Sequence, residues 1–290
     1  MTWHLFGMIV TDWGIAANNR GENEGNINTL QKILWKDVTH TCVSAEAIRR
    51  GLRRVWAHAG KDLRENTPGQ QENFNPEKFL DDDVLGFMKP EAAKAQENDK
   101  ANSKKKGTVT SRTGPLNVSR AISLLPYRCE VTFNSRSGDR NRSSLYGTEI
   151  HSTAYQFGWA ITPSALMKPE RIEDVVTGLT QLGAVGGNHG RFLFDFSPQS
   201  IIFRWTQDFA PRFLYCFEAD GDRAIKADKV ERLVSRGDIK GSELWIGGDI
   251  AASPLGEFLK TKTKNARVYR GVVEVAIDLL KQIKQDLNLK

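Results

Sequence analysis

The residues of this chain best suited to chemistry are basic ones, and they are clustered. Residues 103–142 hold Lys104, Lys105, Lys106, Arg112, Arg120, Arg128, Arg136, Arg140 and Arg142 against Glu130 and Asp139. That surplus exceeds the net charge of +6 on the whole 290-residue chain, so the remainder is close to neutral. Such a local excess points to a polyanionic partner, with a solvated lysine tract as the plainer alternative. A second group lies on a predicted helix, where Arg49 with Arg53 and Arg50 with Arg54 form i,i+4 pairs of like charge. Like charges at that spacing destabilise a bare helix slightly, and an anion between them removes the penalty. Arginine stems covering apolar surface explain the same pattern without a ligand.

Two further segments have anion-binding chemistry. Ser111 to Arg120 mixes Arg112 and Arg120 with hydroxyls and the Asn117 amide, groups that contact phosphate and ribose without reading bases. The same residues fit a turn leading into a helix at Ser119. The loop Gly186-Gly187-Asn188-His189-Gly190-Arg191 has glycines that let a phosphate approach the backbone, or that simply join a helix to a strand. It lacks the Lys-Ser/Thr of a P-loop and does not follow a strand as a dinucleotide fingerprint does.

Other chemistries find little support. The five histidines (His4, His40, His58, His151, His189) show no HxxxH or HxH spacing and no neighbouring cysteine pair, so no zinc site is expected. Asp81-Asp82-Asp83 can bind a metal but reads more simply as a solvated edge before a strand. The GxSxG elbow of Ser/His/Asp nucleophiles is absent. No metal, cofactor or catalytic residue is therefore expected.

The elements that must position these residues follow from periodicity. Trp3 to Trp13 reads as a buried strand, and Asn18 to Asn26 as a polar surface loop. Ser44 caps a helix over Ala45 to Ala59 with Ile48, Leu52, Val55 and Ala59 inward. Val84 to Met88 predicts a short strand, and Cys129 to Phe133 another. From Lys89 to about Gly107 almost nothing apolar is available to bury, which marks an insertion. Ile150 to Thr162 alternates as one strand, with Tyr155, Phe157 and Trp159 on one face; these are core residues or a base-stacking platform. Pro169 opens a helix burying Ile172, Val175, Val176, Leu179 and Leu182, and Phe192 to Trp205 is the next strand run. A helix near Ala227 to Ser235, a strand at Glu243 to Ile246 and a last helix carrying Val268, Val272, Val275, Leu279 and Ile283 complete the chain.

Strand, helix, strand, strand, helix, strand is the split βαβ order of ferredoxin-like and RRM-like folds, so an α+β class is expected. With 39% hydrophobic and 26% charged residues and a mean hydropathy of -0.45, the chain can bury a core and has no apolar run long enough to span a bilayer. The start lacks a basic signal-peptide region, and Cys42, Cys129 and Cys216 are too widely spaced for a CxxC pair. Both features suggest a reduced, cytoplasmic protein.

Taken in order, Val43 to Arg53, Asp82 to Met88, Arg112 to Pro126 and Thr148 to Phe157 resemble the DevR-like branch of the CRISPR-associated Cas-seven family. That resemblance implies an RRM-like palm with finger-like and thumb-like insertions, spanning residues 1–290 as one elaborated domain. Residues 89–107 would be the finger, 134–144 the candidate thumb loop, and 206–290 a C-terminal extension packed on the palm. It further implies a non-catalytic backbone subunit of type I Cascade, used in antiviral defense. Copies of the chain would form a helical filament along crRNA, presenting the guide to target DNA. The other partners implied are the large subunit, the crRNA-end-capping subunit and the repeat-processing endonuclease, with no membrane involved.

By the same resemblance, Asn18, Asn19, Arg20, Asn26, Arg49, Arg50, Arg53, Arg112, Asn117, Arg120, Gly186, Gly187, Asn188, His189 and Arg191 would line the RNA groove. Lys104, Lys105, Lys106, Arg136, Arg140 and Arg142 add RNA contacts from the inserts. Related type III subunits cut RNA with an aspartate after the first strand, where this chain has Glu22 and Glu24 and no aspartate between Asp12 and Asp37. A metal-dependent ribonuclease using Glu22, Glu24 or Asp37 is the rival reading, and a stand-alone RNA-binding regulator the third.

Overall fold

The computed structural model describes residues 2–17, 20–69, 73–90, 109–128, 130–135, 145–186, 193–221 and 224–289. The chain opens with β1 (His4–Thr11), β2 (Gly14–Ala16), β3 (Arg20–Glu24), β4 (Ile27–Leu30), β5 (Lys32–Trp35), β6 (Val38–Val43) and α1 (Ala45–His58). Next come α2 (Leu80–Leu85), β7 (Gly86–Pro90), β8 (Val109–Thr113), β9 (Asn117–Val118), β10 (Ala121–Ser123), β11 (Glu130–Ser135), β12 (Leu145–Thr153) and β13 (Tyr155–Ile161). The rest is α3 (Ile172–Thr180), β14 (Pro198–Thr206), β15 (Glu218–Asp220), β16 (Ala224–Lys226), α4 (Asp228–Ser235), β17 (Leu244–Gly248), α5 (Pro254–Lys262), β18 (Arg267–Tyr269) and α6 (Val272–Asp286).

The main sheet runs β18-β17-β14-β1-β13-β10-β6-β5, with β9 also paired to β13. β1 lies between β13 and β14, antiparallel to both, so Met8 faces Gly158 on one side and Ile202 on the other. Every residue of β1 is buried, because both faces of the sheet are covered. On one face Leu5, Ile9, Tyr155, Phe157 and Trp159 pack with Ile48 and Leu52 of α1, Val175 and Leu179 of α3, and Val275 and Leu279 of α6. On the other, Phe6, Met8, Val10 and Ile202 pack with Phe213 and Phe217 of the 207–217 segment, Val230 of α4, and Leu255 and Leu259 of α5. A buried amide fixes this second cover: Gln156 donates to the Phe217 carbonyl at 2.9 Å and accepts from the Phe217 N–H at 3.1 Å. A smaller sheet, β11-β12-β4-β3, stands beside the first.

Several expectations are corrected. The Asn18 to Asn26 stretch is not wholly loop: β3 pairs with β4 through a turn at Gly25, φ 58°. Its Glu22, Asn23 and Glu24 are all exposed, so no alternation marks it. The Ile150 to Thr162 run breaks at Ala154, where the chain leaves β12 in the smaller sheet and enters β13 in the main one. Ser119 leads into strand β10, residues 193–197 precede β14 while Phe192 lies outside the described residues, and Val268 belongs to β18 rather than to the last helix. Within the predicted strand at Val84 to Met88, Val84 and Leu85 end helix α2, and pairing starts at Gly86. Gly86 has φ 70°, and a Cβ there would meet the Arg112 carbonyl oxygen at 2.3 Å.

The three aspartates of α2 are also not a solvated edge, being at most 1% exposed. Asp83 lies deepest in charge: Oδ1 accepts from Arg112 and from the Met167 N–H, and Oδ2 accepts from Arg171 Nη1 at 2.7 Å. Arg171, itself 8% exposed, also donates to the carbonyls of Pro76 and Glu77. One carboxylate thus joins α2, β8, the start of α3 and the 76–78 turn. Where the sheets meet, Thr41 Oγ1 lies 2.8 Å from His151 Nδ1 and 2.7 Å from the Tyr155 hydroxyl. Burial lowers the His151 pKa to about 4 against a backbone bond to Pro126, and nearby His40 lowers it further. Among the described residues no helix is long and apolar enough to cross a membrane.

Two outcomes follow. Asp83→Ala leaves two guanidiniums without their anion and should cost about 3–5 kcal/mol, with Asp83→Asn in between, read from urea midpoints. A loss below about 1 kcal/mol, the size of an exposed pair, would mean that the carboxylate does not hold this junction. For His151 the folded pKa lies below the ordinary 6.5, so between 6.5 and about 4 the unfolded chain binds a proton that the native chain excludes. Stability should fall as pH drops through that window, and His151→Gln should flatten the fall; an identical slope in the variant would refute it.

Candidate nucleic-acid interface

Helix α1 starts where Ser44 Oγ accepts from the Ala47 N–H at 3.2 Å, and it buries Ile48, Gly51, Leu52 and Trp56 against the sheet and α3. Its arginines therefore emerge on the flanks. The anions that their spacing calls for come partly from the chain itself. Arg49 donates to the Leu85 carbonyl, Arg50 pairs with Glu65, and Arg53 Nε lies 3.0 Å from Glu65 Oε2 and 3.4 Å from Asp81 Oδ2. Asp81 also accepts from the Arg64 N–H, and Asp82 from Arg64 Nε at 2.7 Å and the Asn75 N–H at 2.8 Å.

Four guanidiniums here face three carboxylates, so the patch keeps a positive excess. The Arg53 pKa is lowered mainly by burial, Asp81 opposes the shift, and Arg49 and Arg64 add to it. An arriving phosphate would relieve this mutual repulsion. Arg50 remains exposed, while Arg49 and Arg53 are half-buried.

Arg54, which the i,i+4 spacing pairs with Arg50 but which the resemblance leaves out of the RNA groove, has an exposed guanidinium that no ion pair or hydrogen bond holds among the described residues. With His58, one turn on, it borders a groove of about 680 Å³ walled by Val55, Gly183, Ala184 and Phe194. Gly186, two residues after Ala184, has φ 87°. Gly187, Asn188, His189 and Arg191 lie outside the described residues.

On the other side of β13, Asn117 and Arg120 are exposed at either end of the β9–β10 link. Arg120 Nη1 donates to Gln31 Oε1 at 3.1 Å, and Tyr215 donates its hydroxyl to the Arg120 carbonyl at 2.9 Å. Ser119 holds this link to the sheet, donating its N–H to the Gly158 carbonyl at 2.8 Å while its Oγ accepts from the Gly158 N–H at 2.8 Å. Arg112 is different: it is committed to Asp83 and to the Ala165 carbonyl at 3.1 Å. Asn26 is exposed in the β3–β4 turn, and Arg20 belongs to β3. Asn18, Asn19, Lys104, Lys105, Lys106, Arg136, Arg140 and Arg142 lie outside the described residues. Of the expected insertion at 89–107, Lys89 and Pro90 belong to β7 and pair with Thr110 and Val109, and of the expected loop at 134–144, Asn134 and Ser135 belong to β11 and pair with Tyr146 and Leu145; the rest of both lies outside the described residues.

Tyr155, Phe157 and Trp159 are at most 2% exposed beneath the helices, which leaves them no face for stacking a base. Glu22 and Glu24 sit on β3 of the smaller sheet, whereas Asp37 is in the β5–β6 turn at φ 65°. Among the described residues no group of three or more His, Cys, Asp or Glu is placed to hold a metal ion.

No family model matches the chain. A curated relative, the CRISPR-associated protein Cas7/Cst2/DevR of Myxococcus xanthus (strain DK1622), is 41% identical over 297 aligned residues, covering 94% of this chain and 95% of the relative. Among solved structures, a chain of a pre-nicking CRISPR RNA-guided surveillance complex matches with a TM-score of 0.56 at 9% identity, over 96% of this chain and 99% of that one. Another CRISPR RNA-guided surveillance complex chain gives 0.50 at 12% identity, over 84% and 87%. The structural likenesses carry the fold, and the sequence identity, sustained over nearly the full length of both proteins, carries more: this chain belongs to the Cas7/Cst2/DevR family of CRISPR-associated proteins.

Proposed function

We propose that the protein is a crRNA-binding backbone subunit of a type I Cascade surveillance complex, acting in the cytoplasm as a scaffold without catalysis. The observation that carries the reading is the full-length identity to a Cas7/Cst2/DevR protein. Exposed basic side chains on segments flanking a sheet whose faces are filled agree with it. Such a subunit holds its guide by phosphate and shape, while base pairing supplies the sequence.

The strand order β14-β1-β13-β10, with α1 and α3 on one face, supports an RRM-like palm, since it is the spatial order 4-1-3-2 of a split βαβ unit. On this reading the 89–107 insertion is the finger, the loop at 134–144 the thumb, and 206–290 an extension that closes the second sheet face. The guide would pass over Asn26, Asn117, Arg120, the α1 arginines and the 186–191 loop, with Arg54 added to that set. Copies of the chain along one guide, the other Cascade subunits and target DNA paired to the guide would be its partners. Related surveillance complexes among solved structures support the setting.

RNA of one defined length should co-purify with the assembled protein. Arg54→Ala with Arg120→Ala should weaken guide binding by similar factors for unrelated guide sequences, and lower the slope of log affinity against log salt by about 0.7 per lost contact. A loss confined to particular sequences would argue for base readout. Regular cleavage of matched target RNA in Mg²⁺, abolished by changing Glu22, Glu24 or Asp37, would establish the ribonuclease instead.

A further inference from the structure

Another cavity lies toward the opposite edge of the main sheet from Arg120. A cleft of about 580 Å³ opens between the ends of β1 and β14, the 237–243 segment and α6. Its floor is aromatic. Trp3 and Trp205 stack with centroids 4.9 Å apart and planes 6° from parallel, and the Arg267 guanidinium lies 4.1 Å from the ring centroid of Trp245. The buried indole N–H groups are tied down, Trp205 to Asp286 at 2.8 Å and Trp245 to Asp278 at 2.9 Å. Trp3 is half-buried, so its ring is presented on a fixed platform.

The carboxylates along this cleft are largely committed. Buried Arg204 pairs with Glu243 at 2.8 Å and Asp208 at 3.0 Å, and Asp286 accepts from Trp205 and from Gln282. The charge free to act comes from the mouth. Between Glu257 and Glu274 the chain has no carboxylate, but it has Lys260, Lys262, Lys264, Arg267 and Arg270. Lys260 pairs with Glu257 at 2.8 Å, whereas Lys262, Lys264 and Arg270 are exposed. This turn abuts the cleft wall: a Cβ on Gly241 would meet Thr263 Oγ1 at 2.0 Å, and Arg267 Nη1 donates to the Ser242 carbonyl at 2.7 Å.

Aromatic platforms beside a basic track are what an unstacked strand needs, because every base has a π-face and every phosphate a charge. We propose that this cleft and its lysine turn bind a single-stranded nucleic acid other than the guide, with a base on Trp3 and the phosphates on Lys262 and Lys264. β17, which carries Trp245, is four strand steps from β10, which follows Arg120, or about 19 Å at ordinary strand spacing. The site is thus separate from the proposed guide path. It rests on the guide reading only in being called a second strand.

The test uses the purified protein with its co-purified RNA and a fluorescent oligothymidylate of about twenty nucleotides, followed by anisotropy. Lys262→Glu and Lys264→Glu together should weaken its binding at least about tenfold, and Trp3→Ala alone about tenfold. RNA retained by the same preparations, quantified after extraction, should be unchanged, and it reports on the guide reading alone. An oligouridylate arm identifies the strand as DNA or RNA by which binds tighter. Undiminished oligothymidylate binding in the charge-reversed protein, shown folded by its thermal midpoint, would overturn the proposal. So would equal displacement by polyglutamate, which would mark the turn as a site for an acidic protein.

Discussion

The structure depends on a helix of six residues that holds three consecutive buried carboxylates. Asp81, Asp82 and Asp83 can be taken out of water only because Arg53, Arg64, Arg112 and Arg171 come to meet them. Those arginines belong to α1, the loop after it, the β8 strand beside the insertion, and the start of α3. A charge network of this kind forms when all four segments are in place, and it penalises any arrangement that leaves one of them out. The β7–β8 pair is therefore fixed on the body by electrostatics as well as by its own hydrogen bonds.

The same network explains the division of labour among the basic residues. An arginine whose guanidinium lies against a buried carboxylate is a structural cation; one whose neighbours are other arginines remains attractive to an outside anion. Arg112 and Arg171 are of the first kind, and Arg49, Arg50 and Arg53 combine both, each with one edge held and a positive excess around it; Arg54 is exposed, with no ion pair among the described residues. Counting charges along the sequence cannot make this distinction, because the partners lie 12 to 88 residues away.

What was legible in the sequence was what local periodicity encodes. β1, α1, α3 and β13 carry unbroken apolar patterns, and each forms where the pattern places it. What was not legible depends on partners distant in the chain. β3 is polar on both faces and exists because β4 pairs with it. The break at Ala154 comes from a change of sheet, which leaves the alternation on either side intact. The aspartates of α2 read as solvated because nothing nearby in sequence neutralises them. At the candidate site, the exposed Asn117 and Arg120 were found from residue type, but the commitment of Arg112 and the freedom of Arg54 needed coordinates.

Filling both faces of the sheet has the widest consequence for function. In an RRM the open face offers aromatic side chains to bases, and recognition follows the sequence of the bases stacked there. Here the helices take one face and the 207–217 segment with α4 and α5 the other, so Tyr155, Phe157 and Trp159 stabilise the core. Among the described residues, what the filled sheet leaves to a nucleic acid is its rims, and the proposed contacts lie there: the β9–β10 link and the α1 flank at one end, and the aromatic cleft with its lysine turn at the other. Rim contacts are made by side chains reaching phosphates from connecting segments, which is indifferent to base identity. A subunit that must hold any guide equally well gains from losing its sheet face, because the surface given up is the one that would have imposed a sequence preference.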